Sequence, residues 1–396
     1  MISICMKIEH PETYCWYAFS AYDSNHKWCC CAGGLGDYTN FQALNESTEI
    51  QEVRDALKNG QRHPKCRLCW IPEDNGDIST RLISNRHISK TMEPGTWYDP
   101  KLRYLWLDSG SVCNLACRTC GSNWSSSHYR EFRDRHGTIP ISSIQKTDME
   151  NLLSEDYSLL TGITVIGGEP FLNLEHLAVL EKISTYENSK NVLVLYHTNG
   201  TLPIPEKLAL LAPKFASITI KVSVDAVGSP FDYIRTNATW SQVNANIKSM
   251  QNTNIPNVFF MFNVVVSVLN VMYLDPLLEW ISSRMPPEVG KTVNDWPPEI
   301  SVHARIATLR NKFHVTLVSL VGPEYYGFSI FTPSQRAKLV QHLESSEFEL
   351  SSIISQIQSL EYSESNANKF WKEVDWTKQY KGLDIDQYLP DLVELL

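Results

Sequence analysis

The chain has 396 residues, 43% hydrophobic, 20% charged and 11% aromatic, the composition of an ordinary globular protein. Its formal net charge of −9 argues against a nucleic-acid partner, whose footprint is usually basic. No stretch approaches the roughly 18 apolar residues of a membrane helix, and the start, MISICMKIEHPETYC, lacks the parts of a secretion signal, so no membrane partner and a cytoplasmic location are expected.

Residues 1–95 are rich in cysteine and glycine and poor in long apolar runs. The chain's ten cysteines stand at 5, 15, 29, 30, 31, 66, 69, 113, 117 and 120, with none beyond. Disulfide frameworks belong to small secreted domains, whereas clustered cysteines in a cytosolic chain read as metal or redox sites. A small metal-stapled domain is expected over 1–95, because a bound metal can stand in for a large core.

From residue 102 the pattern changes. Strands are predicted at 102–109, 162–168, 192–200, 217–226, 258–267 and 300–307, rich in Val, Ile and Phe and bounded by Gly, Asn or Pro. Helix-length segments lie between them, at about 123–135, 146–159, 174–187, 204–211, 239–251 and 272–284. Six alternations argue for an α/β fold with a parallel sheet of right-handed βαβ units, open or curled into a partial barrel, over 96–315. Residues 316–396 are expected to add a helical cap and tail, with helices at 333–345 and 350–362, and 308–332 to cover the barrel mouth. No internal repeat is visible.

In such folds the chemistry lies at the carboxyl ends of the strands. CNLACRTC (113–120), GGEP (167–170), HTNG (197–200) and VDAVG (224–228) all follow or end predicted strands, so they should meet on one rim. The first holds three cysteines as C-x3-C-x2-C, where a closed zinc or iron–sulfur site normally takes four protein ligands. Either a distant ligand completes the set, as in a zinc knuckle, or one position is left open for chemistry.

With these companions the chain resembles the radical S-adenosylmethionine (radical SAM) enzymes, whose fold is a partial (βα)6 TIM-like barrel. The resemblance implies a [4Fe–4S] cluster held by Cys113, Cys117 and Cys120, with the fourth iron left for SAM. It further implies SAM contacts from Gly167, Gly168, Glu169 and Pro170, from Thr198 and Asn199, and from Ser223 and Asp225. Two of these sets have a plainer account: GGEP as a strand-ending turn, and Ser223 and Asp225 as polar residues at a strand end. Asn263 and Asn270 suit either the ribose region or buried hydrogen bonding, and His303 and Arg305 either substrate binding or an ordinary ion pair. Many relatives carry an aromatic residue before the last cysteine where this chain has Thr119, which leaves the adenine contact unassigned. No catalytic residue is assigned.

The amino-terminal cysteines resemble the twitch module, a shortened relative of the SPASM domain, as found before the core in some twitch-type radical SAM proteins, phage-encoded ones included. The tail KGLDIDQYLPDL is also similar to theirs. The implied ligands of an auxiliary [4Fe–4S] or [2Fe–2S] cluster are Cys15, Cys30, Cys66 and Cys69. Cys29 or Cys31 can replace Cys30, and a zinc ribbon fits the same spacing. The resemblance implies hydrogen-atom abstraction from a peptide or protein, or from a small molecule, with electrons from a flavodoxin- or ferredoxin-type reductant. A zinc-stabilised adaptor with a decayed SAM site is the reading from another class.

Overall fold

The computed structural model describes residues 8–24, 38–74, 79–85, 96–122, 124–138, 148–284, 304–308, 314–320 and 322–396. Eight strands form one sheet: β1 (Ala21–Asp23), β2 (Tyr104–Asp108), β3 (Gly162–Ile166), β4 (Leu193–Thr198), β5 (Ser217–Ser223), β6 (Val258–Val266), β7 (Ala304–Thr308) and β8 (His314–Ser319). Their order is β1-β2-β3-β4-β5-β6-β8-β7, so the sheet is open, with β1 and β7 at its ends. Every pairing is parallel except β7 with β8. From β2 to β6 each strand lies beside the next in sequence, the order that repeated crossover units produce.

The strands read as near-continuous apolar runs because a parallel sheet is buried on both of its faces. All five residues of β2 are buried, as are four of the five in β3. The covering helices carry the complementary stripe. Val243, Ile247 and Met250 are the buried positions of Trp240–Gln251, and Leu274, Leu277, Leu278 and Ile281 those of Leu274–Arg284. Spacings of three and four place such residues on one face, each worth about 1.5–3 kcal/mol when fully buried.

Two features depart from expectation. The sixth parallel position, beside β6, is taken by His314–Ser319 and not by 300–307. Residues 304–308 pair antiparallel on the outside of that strand, and five intervening residues are too few for a parallel crossover. Part of the segment expected to cover the barrel mouth is therefore a sheet strand. At the other end, Ala21–Asp23 of the cysteine-rich segment extends the sheet in register with Tyr104–Trp106. The predicted tail contains an 18-residue helix, Glu364–Lys381, closed by Gly382 in a left-handed conformation (φ 68°). No helix among the described residues is long and apolar enough to cross a membrane.

Candidate active site at the strand ends

The hydrogen-bond ladder continues past the ends of β2 and β3 into their loops. Ser109 N–H donates to Ile166 O (2.9 Å), Gly168 N–H to Gly110 O (2.7 Å) and Glu169 N–H to Val112 O (2.8 Å). This closeness explains the glycine pair. A Cβ on Gly168 would lie 2.7 Å from the carbonyl carbon of Val112, and one on Gly167 would lie 2.6 Å from Gly110 O. Gly167 also has φ +125°, a conformation that side chains disfavour.

The cysteine loop is held from three directions. Behind it, the serines before and at the start of helix Ser127–His136 bind its backbone. Ser127 Oγ donates to Cys113 O (2.8 Å), Ser125 Oγ donates to Leu115 O (2.6 Å), and Ser126 Oγ accepts from Cys113 N–H (3.1 Å). On one flank, Asn199 Nδ2 donates to Asn114 Oδ1 (2.9 Å), and Asn114 Nδ2 to Thr201 Oγ1 (2.9 Å). On the other, Ala116 N–H donates to Thr236 O (3.1 Å) and Arg118 N–H to Ile234 O (2.8 Å).

Glu169 ties the third and fourth strand ends together. Its carboxylate accepts from Thr198 Oγ1 (2.8 Å), Asn199 N–H (2.7 Å) and Phe171 N–H (3.0 Å), and the residue is fully buried. Burial pushes its carboxyl pKa up, against the pull of these three donors and of the Arg235 charge. The side chain is thus occupied within the protein, while the backbone of the same loop lies along the cysteine loop.

Asp225, also fully buried, accepts Val265 N–H at Oδ1 (2.9 Å), and its Oδ2 meets Arg235 at Nη2 (2.7 Å) and Nε (3.0 Å). Arg235 Nη1 lies 3.9 Å from Cys117 Sγ. Burial works against the arginine's charge, but Asp225 and Cys117 outweigh it and hold its pKa above the usual value. Arg235 was absent from the sequence expectations. The signal for it is a cation closing an apolar turn, SPFDYIR, just after a strand-end carboxylate.

The other predicted residues fall as follows. Thr198 ends β4 and is buried, Pro170 is buried, and Ser223 ends β5 half-buried, in register with Asn263 of β6. Asn270 is fully buried, donating to Asp225 O (2.8 Å) and Val265 O (2.9 Å) and accepting from Ser267 N–H (2.8 Å), which is the hydrogen-bonded account of that residue. His303 lies outside the described residues, and Arg305 belongs to β7. A pocket of about 140 Å³ beside Cys120 is lined by Arg118, His128, Glu131, Arg135, Tyr325 and Glu373 among others.

Of the amino-terminal set, Cys15 precedes helix Trp16–Ser20, Cys66 ends the turn Pro64–Cys66, and Cys69 lies in helix Arg67–Asp74. Cys15 and Cys69 are buried. Cys30, with its neighbours Cys29 and Cys31, lies outside the described residues.

Cys113, Cys117 and Cys120 are all free thiols. Burial pushes Cys117 up to about 12 and Cys120 up to about 11, and ionising one raises the next, so the three lie within electrostatic reach of each other. Among the described residues, no three of His, Cys, Asp and Glu are gathered tightly enough for one metal ion. Three soft sulfur donors on one loop, with a guanidinium beside one of them, suit a cage of iron and sulfide.

The Radical SAM superfamily model matches residues 108–281, so this part of the chain is a radical SAM superfamily domain, an enzyme core. Similar solved structures include native anSMEcpe with bound AdoMet, at 17% identity over 61% of this chain and 59% of that one, TM-score 0.39. Streptococcus suis SuiB bound to S-adenosylmethionine is 12% identical over 86% of this chain and 57% of its own, TM-score 0.34. SuiB bound to the precursor peptide SuiA is 12% identical over 62% and 53%, TM-score 0.30. The chain thus spans less than two thirds of the length of these structures. No curated protein matches it.

Proposed function

Proceeding from a radical SAM superfamily domain at residues 108–281, we propose that the chain is a radical SAM enzyme with Cys113, Cys117 and Cys120 as the ligands of a [4Fe–4S] cluster. When bound, that cluster supplies the electron that cleaves SAM to methionine and a 5′-deoxyadenosyl radical, which takes a hydrogen atom from the substrate. The observation that carries this reading is the arrangement of the rim: three thiols on a loop hydrogen-bonded to the strand-end segments 167–169, 199–201 and 234–236.

In this proposal each neighbour has a task. The backbone at Gly167 and Gly168 comes close because neither carries a Cβ, and it offers SAM a polar edge beside the cluster. Glu169 positions Thr198 and Asn199 through its three hydrogen bonds. Ser223 stands at the rim of β5 as a further SAM contact. Asp225 faces Arg235 and acts through it. The buried strand ends exclude water, which protects a reactive radical.

The proposed substrate is a peptide or protein. Among the described residues the sheet ends at β1 and β7 without closing into a barrel. The amino-terminal cysteines Cys15, Cys30, Cys66 and Cys69 are proposed to hold an auxiliary [4Fe–4S] or [2Fe–2S] cluster in a twitch-like module over 1–95, ahead of the core at 96–315 and the cap at 316–396. The reductant is proposed to be a flavodoxin or ferredoxin, in the cytoplasm.

Iron and sulfide per chain after anaerobic reconstitution test this directly, in the parent and in Cys113→Ala/Cys117→Ala/Cys120→Ala. About eight irons falling to about four supports two [4Fe–4S] clusters, and about six falling to two makes the auxiliary cluster [2Fe–2S]. A parent that binds only zinc refutes the enzyme reading. 5′-Deoxyadenosine formation stimulated by a peptide rather than a small metabolite separates the two substrate classes.

A further inference from the structure

Segment 234–236 bonds the cysteine loop on both sides of Cys117, at Ala116 N–H and Arg118 N–H. Between those two bonds, Arg235 reaches back toward the sulfur. One edge of its guanidinium, Nε and Nη2, is taken by Asp225 Oδ2, and the remaining Nη1 lies 3.9 Å from Cys117 Sγ. All three residues are at least nine-tenths buried. The pair is therefore an oriented dipole, its positive end on the sulfur and its negative end turned away, in a place that water does not screen.

From this geometry we infer that Arg235 is a positioning residue that sets the reduction potential of the cluster held through Cys117, and that Asp225 is its counterweight. The inference rests on the ligand assignment proposed above. One electron from an external one-electron reductant lowers the cluster's net charge by one and releases no proton or leaving group. A cation beside a ligand sulfur stabilises that added charge and favours the reduced form, because hydrogen bonds and net charge near the sulfurs govern such potentials. Asp225 opposes the same change from farther away. Two adjacent residues of opposite sign should thus shift the potential in opposite directions, which a merely structural role would not do.

The test is an EPR-monitored redox titration of anaerobically reconstituted full-length chain without SAM. It follows the signal that Cys113→Ala/Cys117→Ala/Cys120→Ala lacks. Arg235→Gln is expected to move the midpoint more negative, Asp225→Asn more positive, and Arg235→Lys to stay near the parent. If Arg235→Gln alone does not retain iron, Arg235→Gln/Asp225→Asn removes both charges together and is expected to titrate more negative than the parent. Midpoints equal to the parent, or single variants shifting the same way, overturn the inference. A parent without that signal refutes the ligand assignment instead.

Discussion

His176 lies at the end of the segment that leads from GGEP into helix Leu177–Ile183, and it is 2% exposed. Its Nδ1 is 2.8 Å from Asn173 O and its Nε2 is 2.8 Å from Tyr196 Oη. A carbonyl can only accept, so Nδ1 carries the proton and Nε2 accepts from the tyrosine hydroxyl. Burial lowers the pKa from 6.5 to about 4. As pH falls below 6.5 the unfolded chain takes up a proton that the folded chain refuses. Stability is therefore complete above 6.5 and drains away down to about pH 4. At 1.36 kcal/mol per pH unit the loss is about 3 kcal/mol. Gln can donate to Asn173 O and accept from Tyr196 without titrating. Urea unfolding of the parent and of His176→Gln between pH 7 and pH 4 isolates the effect, since carboxylates titrating in the same range cancel in the difference. His176→Gln should gain about 3 kcal/mol relative to the parent across that window. Parallel profiles would refute the assignment of a buried neutral imidazole.

Gly168→Ala should destabilise the fold by about 3 kcal/mol, because the clash is with backbone at Val112 and not with a movable side chain, and it should cut iron retention measured after reconstitution. Asn199→Ala removes the link to Asn114 and the acceptor for Thr201 N–H (2.9 Å), and should cost about 1–2 kcal/mol by chemical denaturation. Arg135 makes a bidentate pair with Glu373 (2.6 and 2.8 Å) and lies over Trp376 at 3.7 Å, joining helix Ser127–His136 to Glu364–Lys381. Arg135→Ala should cost about 2 kcal/mol, read as a lowered unfolding midpoint and faster proteolysis of the carboxyl-terminal helix.

Much of the fold was legible because both of its periodicities are strong. Runs such as VLVLYHTNG and KVSVDAVG mark a strand and its end together, so the rim could be assembled from sequence before any contact was known. What strand recognition does not contain is strand order. HVTLVS and ARIAT are both acceptable strands, and only packing against β6 decided that the later one takes the sixth parallel place. Helix Glu364–Lys381 was hidden because its exposed faces carry aromatic and charged residues mixed together, which blurs the apolar stripe.

The same division holds at the site. Cysteine spacing and the GGEP and TNG segments follow from local chain chemistry, so sequence by itself determined which loops face one another. It could not determine that Glu169 spends its carboxylate on Thr198, Asn199 and Phe171, or that Asn270 is locked by backbone groups. Nor could it place Arg235, more than a hundred residues after Cys117, beside that sulfur. A buried charge is tolerable only where its partners converge, and that convergence belongs to the tertiary structure alone.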